Sequence, residues 1–215
     1  FILWLKDILT LNLGDSIFLN MPVLTALGQR AEPTFFLTLF SILIATVIAL
    51  PIGILSAYHR GSLFDQASTT LAMFAASVPS FWLALILIQV FAVRLGLFPV
   101  AGYGGPDTTL FERLHHLVLP AVTLGVVSSA LILRFTRASM LDVLDDDYIR
   151  TARSKGMAET PVILKHAFKN ALIPILTVIG ITAALLISGA IVTETVFGLP
   201  GVGNLVVSAV MRRDY

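Results

Sequence analysis

Four long stretches of this 215-residue chain carry no Asp, Glu, Lys or Arg, and they limit what the chain can fold into. A helix of about 20 apolar residues is long enough to cross the hydrocarbon core of a bilayer. Each stretch reaches that length and is rich in Leu, Ile, Val and Phe. The sequence therefore predicts four membrane-spanning helices, at about 34–58, 66–94, 114–134 and 170–194.

The composition agrees with a protein that lies in a lipid bilayer. Charged residues make up 13% of the chain, against about 25% in soluble domains, and the mean hydropathy is +0.92. The net charge of +1 lacks the basic excess typical of nucleic-acid binding. The absence of cysteine excludes disulfides, thiolate metal sites and cysteine nucleophiles. We predict an all-α polytopic membrane protein with no nucleic-acid partner.

The stretch between the third and fourth spans is basic. Residues 134–169 hold seven Lys or Arg, and burying each at mid-bilayer would cost about 2.5–3.5 kcal/mol. This stretch therefore stays in water, and the positive-inside rule favours the cytoplasm for a loop at about 135–169. Four crossings then place residues 1–33 and the C-terminal tail on the extracytoplasmic side. An extracytoplasmic first residue leads us to expect at least one further span before it.

One proline lies within each predicted span. A proline removes a backbone hydrogen bond and can kink a membrane helix when neighbouring helices satisfy the freed carbonyl. We expect ordinary kinks in a packed bundle, with a gating hinge as the alternative. The four prolines are Pro51, Pro79, Pro120 and Pro174.

The first half of the loop at 135–169 has the pattern of an amphipathic helix. Its apolar side chains recur at helical spacing, and basic side chains load the last turn, where the helix dipole favours positive charge. The apolar residues are Leu141, Leu144, Tyr148 and Ala152, and the basic residues are Arg150, Arg153 and Lys155. We predict one short helix over this region.

A turn and a second helix are expected to follow. Gly156 should end the first helix, Thr160 should cap the next, and Pro161 should occupy its first position. Met157 and Val162 would then be apolar residues exposed in the turn. Such a surface predicts a protein partner.

Signals of catalysis are weak in this chain. It has no Gly-Lys dipeptide and hence no P-loop for ATP, and no G-x-S-x-G nucleophile motif. Adjacent His115 and His116 would point about 100° apart on a helix, which favours interfacial anchoring over a metal site. The three aspartates at 145–147 favour a helix N-terminus over a cation site. Glu194, at the outer end of the last span where water should reach it, favours capping or pairing with a neighbouring subunit over proton relay.

Two segments of the loop carry a more specific signal. Residues 147–156, Asp-Tyr-Ile-Arg-Thr-Ala-Arg-Ser-Lys-Gly, and 165–174, Lys-His-Ala-Phe-Lys-Asn-Ala-Leu-Ile-Pro, resemble the cytoplasmic EAA loop of ABC importer permeases. The dipeptide, oligopeptide and nickel branch is the most similar, and residues 137–143, 198–203 and 213–215 also resemble it. Arg-Thr-Ala stands where the general family has Glu-Ala-Ala, and the interval from the glycine to the proline is longer than the general pattern. Both departures are similar to this branch.

The resemblance implies the transmembrane domain of a type I ABC importer over residues 34–215. The loop would dock on a partner ATPase through Tyr148, Arg150, Thr151, Ala152, Arg153, Lys155, Gly156 and Met157. The return helix toward the membrane would carry Lys165, His166, Asn170 and Pro174. Members of the branch have about six spans per subunit, so the first and last are expected to lie outside this chain.

The resemblance also implies the partners. They are a second, homologous permease, two cytoplasmic subunits that bind ATP and Mg, and an extracytoplasmic solute-binding protein. The chain itself would be a non-catalytic permease of a bacterial or archaeal plasma (inner) membrane, with no cofactor or metal of its own. Its solute would be a peptide or a similar small molecule. Permeases of this branch resemble one another whether they carry dipeptides, oligopeptides, glutathione, nickel complexes or some sugars.

Two other classes of protein remain as alternatives. An ATP-independent channel or secondary transporter would work without ATPase partners and would have no need of the loop. An intramembrane enzyme would require a polar catalytic pair inside the bundle, where the spans offer only Ser, Thr, Gln89 and similar groups.

Overall fold

A computed structural model describes residues 13–105 and 108–214 of the chain. The first twelve residues of the predicted 1–33 segment, and the last residue of the 213–215 match, lie outside the described residues. A hairpin of β1 (Asp15–Ser16) and β2 (Met21–Pro22) comes first. The helices are α1 (Val23–Tyr58), α2 (Leu63–Ser77), α3 (Ser80–Leu87, continued as a π-helix over Ile88–Arg94), α4 (Leu110–Leu144), α5 (Asp147–Ser154), α6 (Glu159–Pro161, continued as a π-helix over Val162–Ala167), α7 (Phe168–Val196) and α8 (Val202–Arg212).

Three helical stretches among the described residues are long and apolar enough to cross a bilayer: α1, α4 and the helix that runs through α6 into α7. The predicted span at 66–94 is instead two helices, α2 and α3, bent by 96° at a short break. Such a bent pair is either a fourth, broken span or a re-entrant loop. The break lies at Val78 and Pro79, because proline disfavours helical backbone at the residue before it and Val78 is extended. Pro79 is therefore a helix break, whereas the other three span prolines lie inside helices.

Helices α1 and α4 pack against each other at close range. A Cβ atom on Gly125 of α4 would lie 2.7 Å from the side chain of Ile44, and one on Gly53 of α1 would lie 2.8 Å from Thr136. Small residues at such crossings let helix backbones approach, which is a main source of packing in membranes. On the outside of the bundle, large apolar side chains such as Phe35 and Ile173 are mostly exposed, as expected for contact with lipid.

The two adjacent histidines anchor the loop between α3 and α4. The Nε2 atom of His115 lies 3.1 Å from the carbonyl oxygen of Leu97, and Nδ1 of His116 lies 3.0 Å from that of Gly102. A carbonyl oxygen only accepts hydrogen bonds, so each ring nitrogen is a donor here. Across residues 13–105 and 108–214, no three His, Asp or Glu side chains are grouped in a way that could hold a metal ion.

The hairpin and the end of α8 are joined at one end of the bundle. The Ser16 hydroxyl donates to Oδ2 of Asp214 at 2.5 Å, and the Ile17 backbone N–H donates to Oδ1 at 3.0 Å. The hydrogen bond from Ser16 lowers the pKa of the Asp214 carboxyl, because it favours the charged form. The guanidinium of Arg212 lies 3.6 Å from the centre of the Phe18 ring. The chain therefore returns to its first described elements at the end of α8.

Glu194 is fully buried, and the expectation that water reaches it was wrong. Its carboxylate accepts hydrogen bonds from the hydroxyl of Thr34, at 2.6 Å, and from the backbone N–H of Asn204, at 2.9 Å. The reason is that residues 197–201 fold back over the end of α7 and bring the start of α8 onto the carboxylate. Glu194 therefore caps α8 within this chain, and the predicted pairing with a neighbouring subunit is not needed to satisfy it.

Candidate functional site

The loop that resembles a docking site contains α5, α6 and the turns beside them, residues 145–167, and is called the α5–α6 loop below. It does not begin with the single helix that the spacing predicted. Leu141 and Leu144 belong to the end of α4, and a new helix starts at Asp147. The extended backbone of Asp146 separates the two helices, and its carbonyl accepts the first N–H groups of α5. The helical spacing of apolar residues continues on both sides of this break, so the spacing alone does not show that the helix is interrupted.

The prediction of a helix N-terminus is correct for two of the three aspartates. Asp145 ends α4, Asp146 is the residue before α5, and Asp147 is in its first turn. Negative charge at this end of a helix is stabilised by the helix dipole. Asp146 makes no side-chain hydrogen bond to the start of the helix, so the stabilisation comes from charge and not from a capping bond.

The buried face of α5 differs from the predicted one by one position. Ile149 is fully buried and Ala152 nearly so, and both pack with Val162, Ala167 and other residues from α1, α4 and α7. Tyr148, predicted on this face, is 40% exposed and accepts a hydrogen bond from Nδ2 of Asn170 at 2.7 Å. The sequence reasoning missed Ile149, although its three-residue spacing from Ala152 was a usable signal.

The turn after α5 has the geometry of a Schellman motif. Gly156 has a φ of +78°, a left-handed conformation that favours glycine. The N–H of Gly156 donates to the carbonyl of Arg153 at 2.9 Å, and the N–H of Met157 donates to that of Ala152 at 3.3 Å. The prediction that Gly156 ends the helix is confirmed.

The second helix starts earlier than predicted. It begins at Glu159 after Ala158, so Thr160 does not cap it and Pro161 falls at the third helical position. Proline is tolerated there, because the first-turn N–H groups have no partner inside the helix. Val162, predicted to be exposed, is fully buried against α5. The second helix packs against α5, and the side chain of Val162 therefore points into the contact between the two helices.

An ion pair joins the two helices of the loop. The guanidinium of Arg153 meets the carboxylate of Glu159 at two points, Nε to Oε1 at 3.0 Å and Nη2 to Oε2 at 3.3 Å. Both side chains are partly exposed, so the pair links the two helices but adds little to stability. Arg150 likewise pairs with Asp147 at 3.3 Å in full contact with solvent.

The structure brings most of the predicted docking residues onto one exposed tip. Arg150, Thr151, Arg153, Lys155, Gly156 and Met157 are exposed around the end of α5. Ala152 lies beneath them as part of the packed support. The residues of the return helix lie apart from this tip, with Lys165, Asn170 and Pro174 exposed and His166 half-buried. The site offers shape and charge for binding a protein, and the side chains on the tip have no arrangement of nucleophile and base.

Residues 49–215 match the family described as the inner membrane component of binding-protein-dependent transport systems. The chain belongs to this family. Its match covers α4, α7 and the whole of the α5–α6 loop between them.

Curated relatives of this permease agree with the assignment. A probable peptide ABC transporter permease of Sinorhizobium fredii is 44% identical over 100% of this chain and 69% of its own length. A glutathione transport system permease of Pectobacterium atrosepticum is 44% identical over 99% of this chain and 67% of its own. The dipeptide transport system permease of Escherichia coli is 38% identical over 95% and 67%. The chain spans about two thirds of the length of these relatives.

Solved structures show the same fold. An inward-facing form of the MetNI methionine ABC transporter matches with a TM-score of 0.67 at 20% identity, covering 86% of this chain and 81% of that one. A structure of an amino acid ABC transporter matches with a TM-score of 0.64 at 16% identity, covering 89% and 81%. The permease therefore has the fold of a type I ABC importer transmembrane domain.

These findings confirm the predicted family, the all-α polytopic fold and the multi-pass location in the inner membrane. The family is that of a membrane component, so the chain is a non-catalytic permease, in preference to the channel and enzyme alternatives. Membership implies a partner ATPase and a binding protein. The limits of the spans and the roles of single loop residues stay predictions.

Proposed function

We propose that this permease forms the translocation path for peptides or a similar small solute that an extracytoplasmic solute-binding protein delivers. Two cytoplasmic subunits bind ATP and Mg and drive the transport, and a second, homologous permease completes the path. The relatives' names support peptides as the solute class, because they are permeases for peptides, dipeptides and glutathione. The permease makes no covalent bond in this process.

The proposal rests on how the α5–α6 loop is divided into a buried side and an exposed tip. One side of α5 is buried through Ile149, while the tip around Gly156 is exposed and firmly held by backbone hydrogen bonds. A buried side attaches the helix to α4 and α7, and an exposed tip leaves a surface for another protein. In this proposal the tip enters a groove on an ATPase subunit, and closure of the two ATPases on ATP moves the loop. The loop passes that movement to the spans.

Replacing Gly156 by leucine tests the docking role. A leucine in the left-handed conformation costs about 1–2 kcal/mol, and its side chain would project from the tip, where a Cβ atom meets nothing within 4 Å. We expect the variant to reach the membrane at normal levels, to lose its ATPase subunits on purification, and to take up a labelled dipeptide at least about tenfold more slowly. Uptake is measured in vesicles with the ATPases, the binding protein and ATP.

Gly96 provides a matched control. It also has a left-handed φ, +63°, and open space around its Cβ position, but it lies in the loop between α3 and α4. Gly96→Leu therefore adds a similar strain and the same side chain at a site remote from the α5–α6 loop, and it should leave the ATPases bound. Retention of the ATPases by Gly156→Leu would refute the docking role. A wild-type complex that takes up no peptide would refute the proposed solute class.

A further inference from the structure

An ion pair with a buried carboxylate and a partly exposed guanidinium lies near the α5–α6 loop. Asp65, in the first turn of α2, is 3% exposed, and Arg137 of α4 binds both of its carboxylate oxygens. Nε of Arg137 lies 2.6 Å from Oδ1, and Nη2 lies 2.7 Å from Oδ2. This two-point geometry makes the pair both strong and specific in direction.

The Asp65 carboxylate accepts hydrogen bonds from two further donors. The hydroxyl of Ser56, in the last turns of α1, donates to Oδ1 at 2.5 Å, and the backbone N–H of Gly61 donates to Oδ2 at 2.9 Å. One carboxylate thus joins the end of α1, the turn after it, the start of α2, and α4. A set of hydrogen bonds this complete holds four segments in one arrangement.

The ion pair between Asp65 and Arg137 lies close to the start of the α5–α6 loop. Arg137 lies about two turns before the end of α4, where the α5–α6 loop begins. Ala57 and Met140, close in sequence to Ser56 and Arg137, are buried in the same cluster as Ile149 of α5. The loop and the adjacent ends of α1 and α4 are therefore one packed unit. Apolar side chains hold that unit together. The ion pair adds a polar link to the start of α2, which also packs on α1 and α4 through Ala72.

We propose that Asp65 and Arg137 are positioning residues that transmit movement of the α5–α6 loop to α2. The inference rests on the docking function proposed above. When the ATPases move the loop, the ion pair carries the start of α2 with it. Because α2 ends at the 96° break before α3, the movement reaches a pair of helices that is already bent between its two members. The pair thus couples ATP-driven closure to a change in the bundle.

A reconstituted complex with Asp65→Asn tests the proposal. ATP hydrolysis and uptake of labelled dipeptide are measured in the same vesicles, in the presence of the ATPases and the binding protein. We expect the ATPases to copurify normally, because the tip of α5 is unchanged. The number of solute molecules taken up per ATP hydrolysed should fall by about tenfold, within the range typical of coupling between sites.

A second variant and a control make the result specific. Arg137→Lys keeps the charge but cannot bind both oxygens, and it should lower the same ratio to a smaller extent. Arg60→Gln removes a second ion pair, in which Arg60 of the turn before α2 meets Asp145 of the α5–α6 loop at 3.7 Å and both side chains are more than half exposed. Such exposed pairs contribute little, so this control should leave the ratio unchanged.

Two results would overturn the proposal. One is an unchanged ratio in Asp65→Asn, including a ratio that stays constant because uptake and hydrolysis fall equally. The other is loss of assembly in both Asp65→Asn and Arg137→Lys, and either result would leave the pair a structural role only. Failure of the docking function is distinguishable, because it is measured by whether the ATPases remain bound in Gly156→Leu. The coupling ratio is measured on complexes that have kept them.

Discussion

Glu194 shows how a carboxylate can be buried at the end of a membrane span. Its partners are the Thr34 hydroxyl and the N–H of Asn204 at the start of α8, where the helix dipole is positive. The N–H of Val202 donates in turn to the Thr34 oxygen at 2.9 Å. Thr34 therefore links α1, the end of α7 and the start of α8 through one hydroxyl.

Gly201 is the residue most sensitive to substitution in this arrangement. A Cβ atom there would lie 2.2 Å from the Glu194 carboxyl group, which is far closer than atoms can approach. We expect Gly201→Ala to lower the free energy of unfolding by about 1–3 kcal/mol, as overpacked sites do, and thermal unfolding in detergent measures this change. Gly180→Ala is the control, because a Cβ on that α7 residue meets nothing within 4 Å. Equal unfolding temperatures for the two variants would contradict the close contact.

At the residue scale, the sequence predicted features that depend on neighbouring residues, and it did not predict contacts between residues far apart in the chain. Gly156 could be identified as a helix stop, because the need for a left-handed residue follows from its position after basic last-turn side chains. The burial of Glu194 could not, because its partner Thr34 lies 160 residues away in the chain. The packing of α1 against α7 brings the two together.

Helix α5 is short, and its stability depends on the side chains that it buries. Eight residues are too few to form a helix alone in water. Ile149 is fully buried and lies in one apolar cluster with Val162 of the second helix. At the exposed end of α5, Arg153 and Glu159 form a two-point ion pair between the helices. This division of roles explains why the tip can be polar and exposed while its base is apolar.

Removal of the Ile149 side chain should loosen the loop without changing its surface. Ile149→Ala creates a cavity that costs about 2–4 kcal/mol, so we expect faster trypsin cleavage at the basic residues of α5 and weaker retention of the ATPases. Thr151→Ala is the control for cleavage, because that exposed hydroxyl bonds only its own helix, to the carbonyl of Asp147 at 2.9 Å. Cleavage of Ile149→Ala at the control's rate would show that the buried side chain does not hold the loop.

At the element scale, the apolar runs predicted where helices exist but not where they break. The spacing of Leu141, Leu144 and Tyr148 runs along the sequence without a gap, but the break at Asp146 turns the chain so that Ile149, and not Tyr148, is buried. Pro79 was recognised as a disturbance, but a kink and a 96° bend leave the same mark in the sequence.

At the scale of the whole molecule, the described residues place large apolar side chains such as Phe35 on the outside and small residues such as Gly53 at the helix crossings inside. This inversion is expected in lipid, where apolar burial gives no advantage over contact with acyl chains and close packing of small residues does. Composition alone therefore predicted the membrane location and the number of apolar runs. It gave no information on which helices pair, since the α1–α4 crossing depends on Gly53 and Gly125.

The chain contains no cysteine, so single cysteines can report the orientation of the whole molecule. Ile17, at the tip of the hairpin, is 82% exposed, and Lys155 is exposed on the α5–α6 loop. In sealed cells, an impermeant thiol reagent added from outside should label Ile17→Cys and leave Lys155→Cys unlabelled until the cells are opened. Labelling of Lys155→Cys in sealed cells would reverse the orientation and remove the loop from its ATPase partners.

Because of the Schellman turn at Gly156, the exposed tip of the loop is ordered before any partner protein binds. Its two backbone hydrogen bonds exist in the isolated chain, so the conformational entropy of the segment is lost during folding and not on encounter with another protein. A surface that is already rigid binds with less entropic penalty than one that must fold on contact. Such a tip can grip a small groove through a modest contact area and remain bound while the groove itself moves.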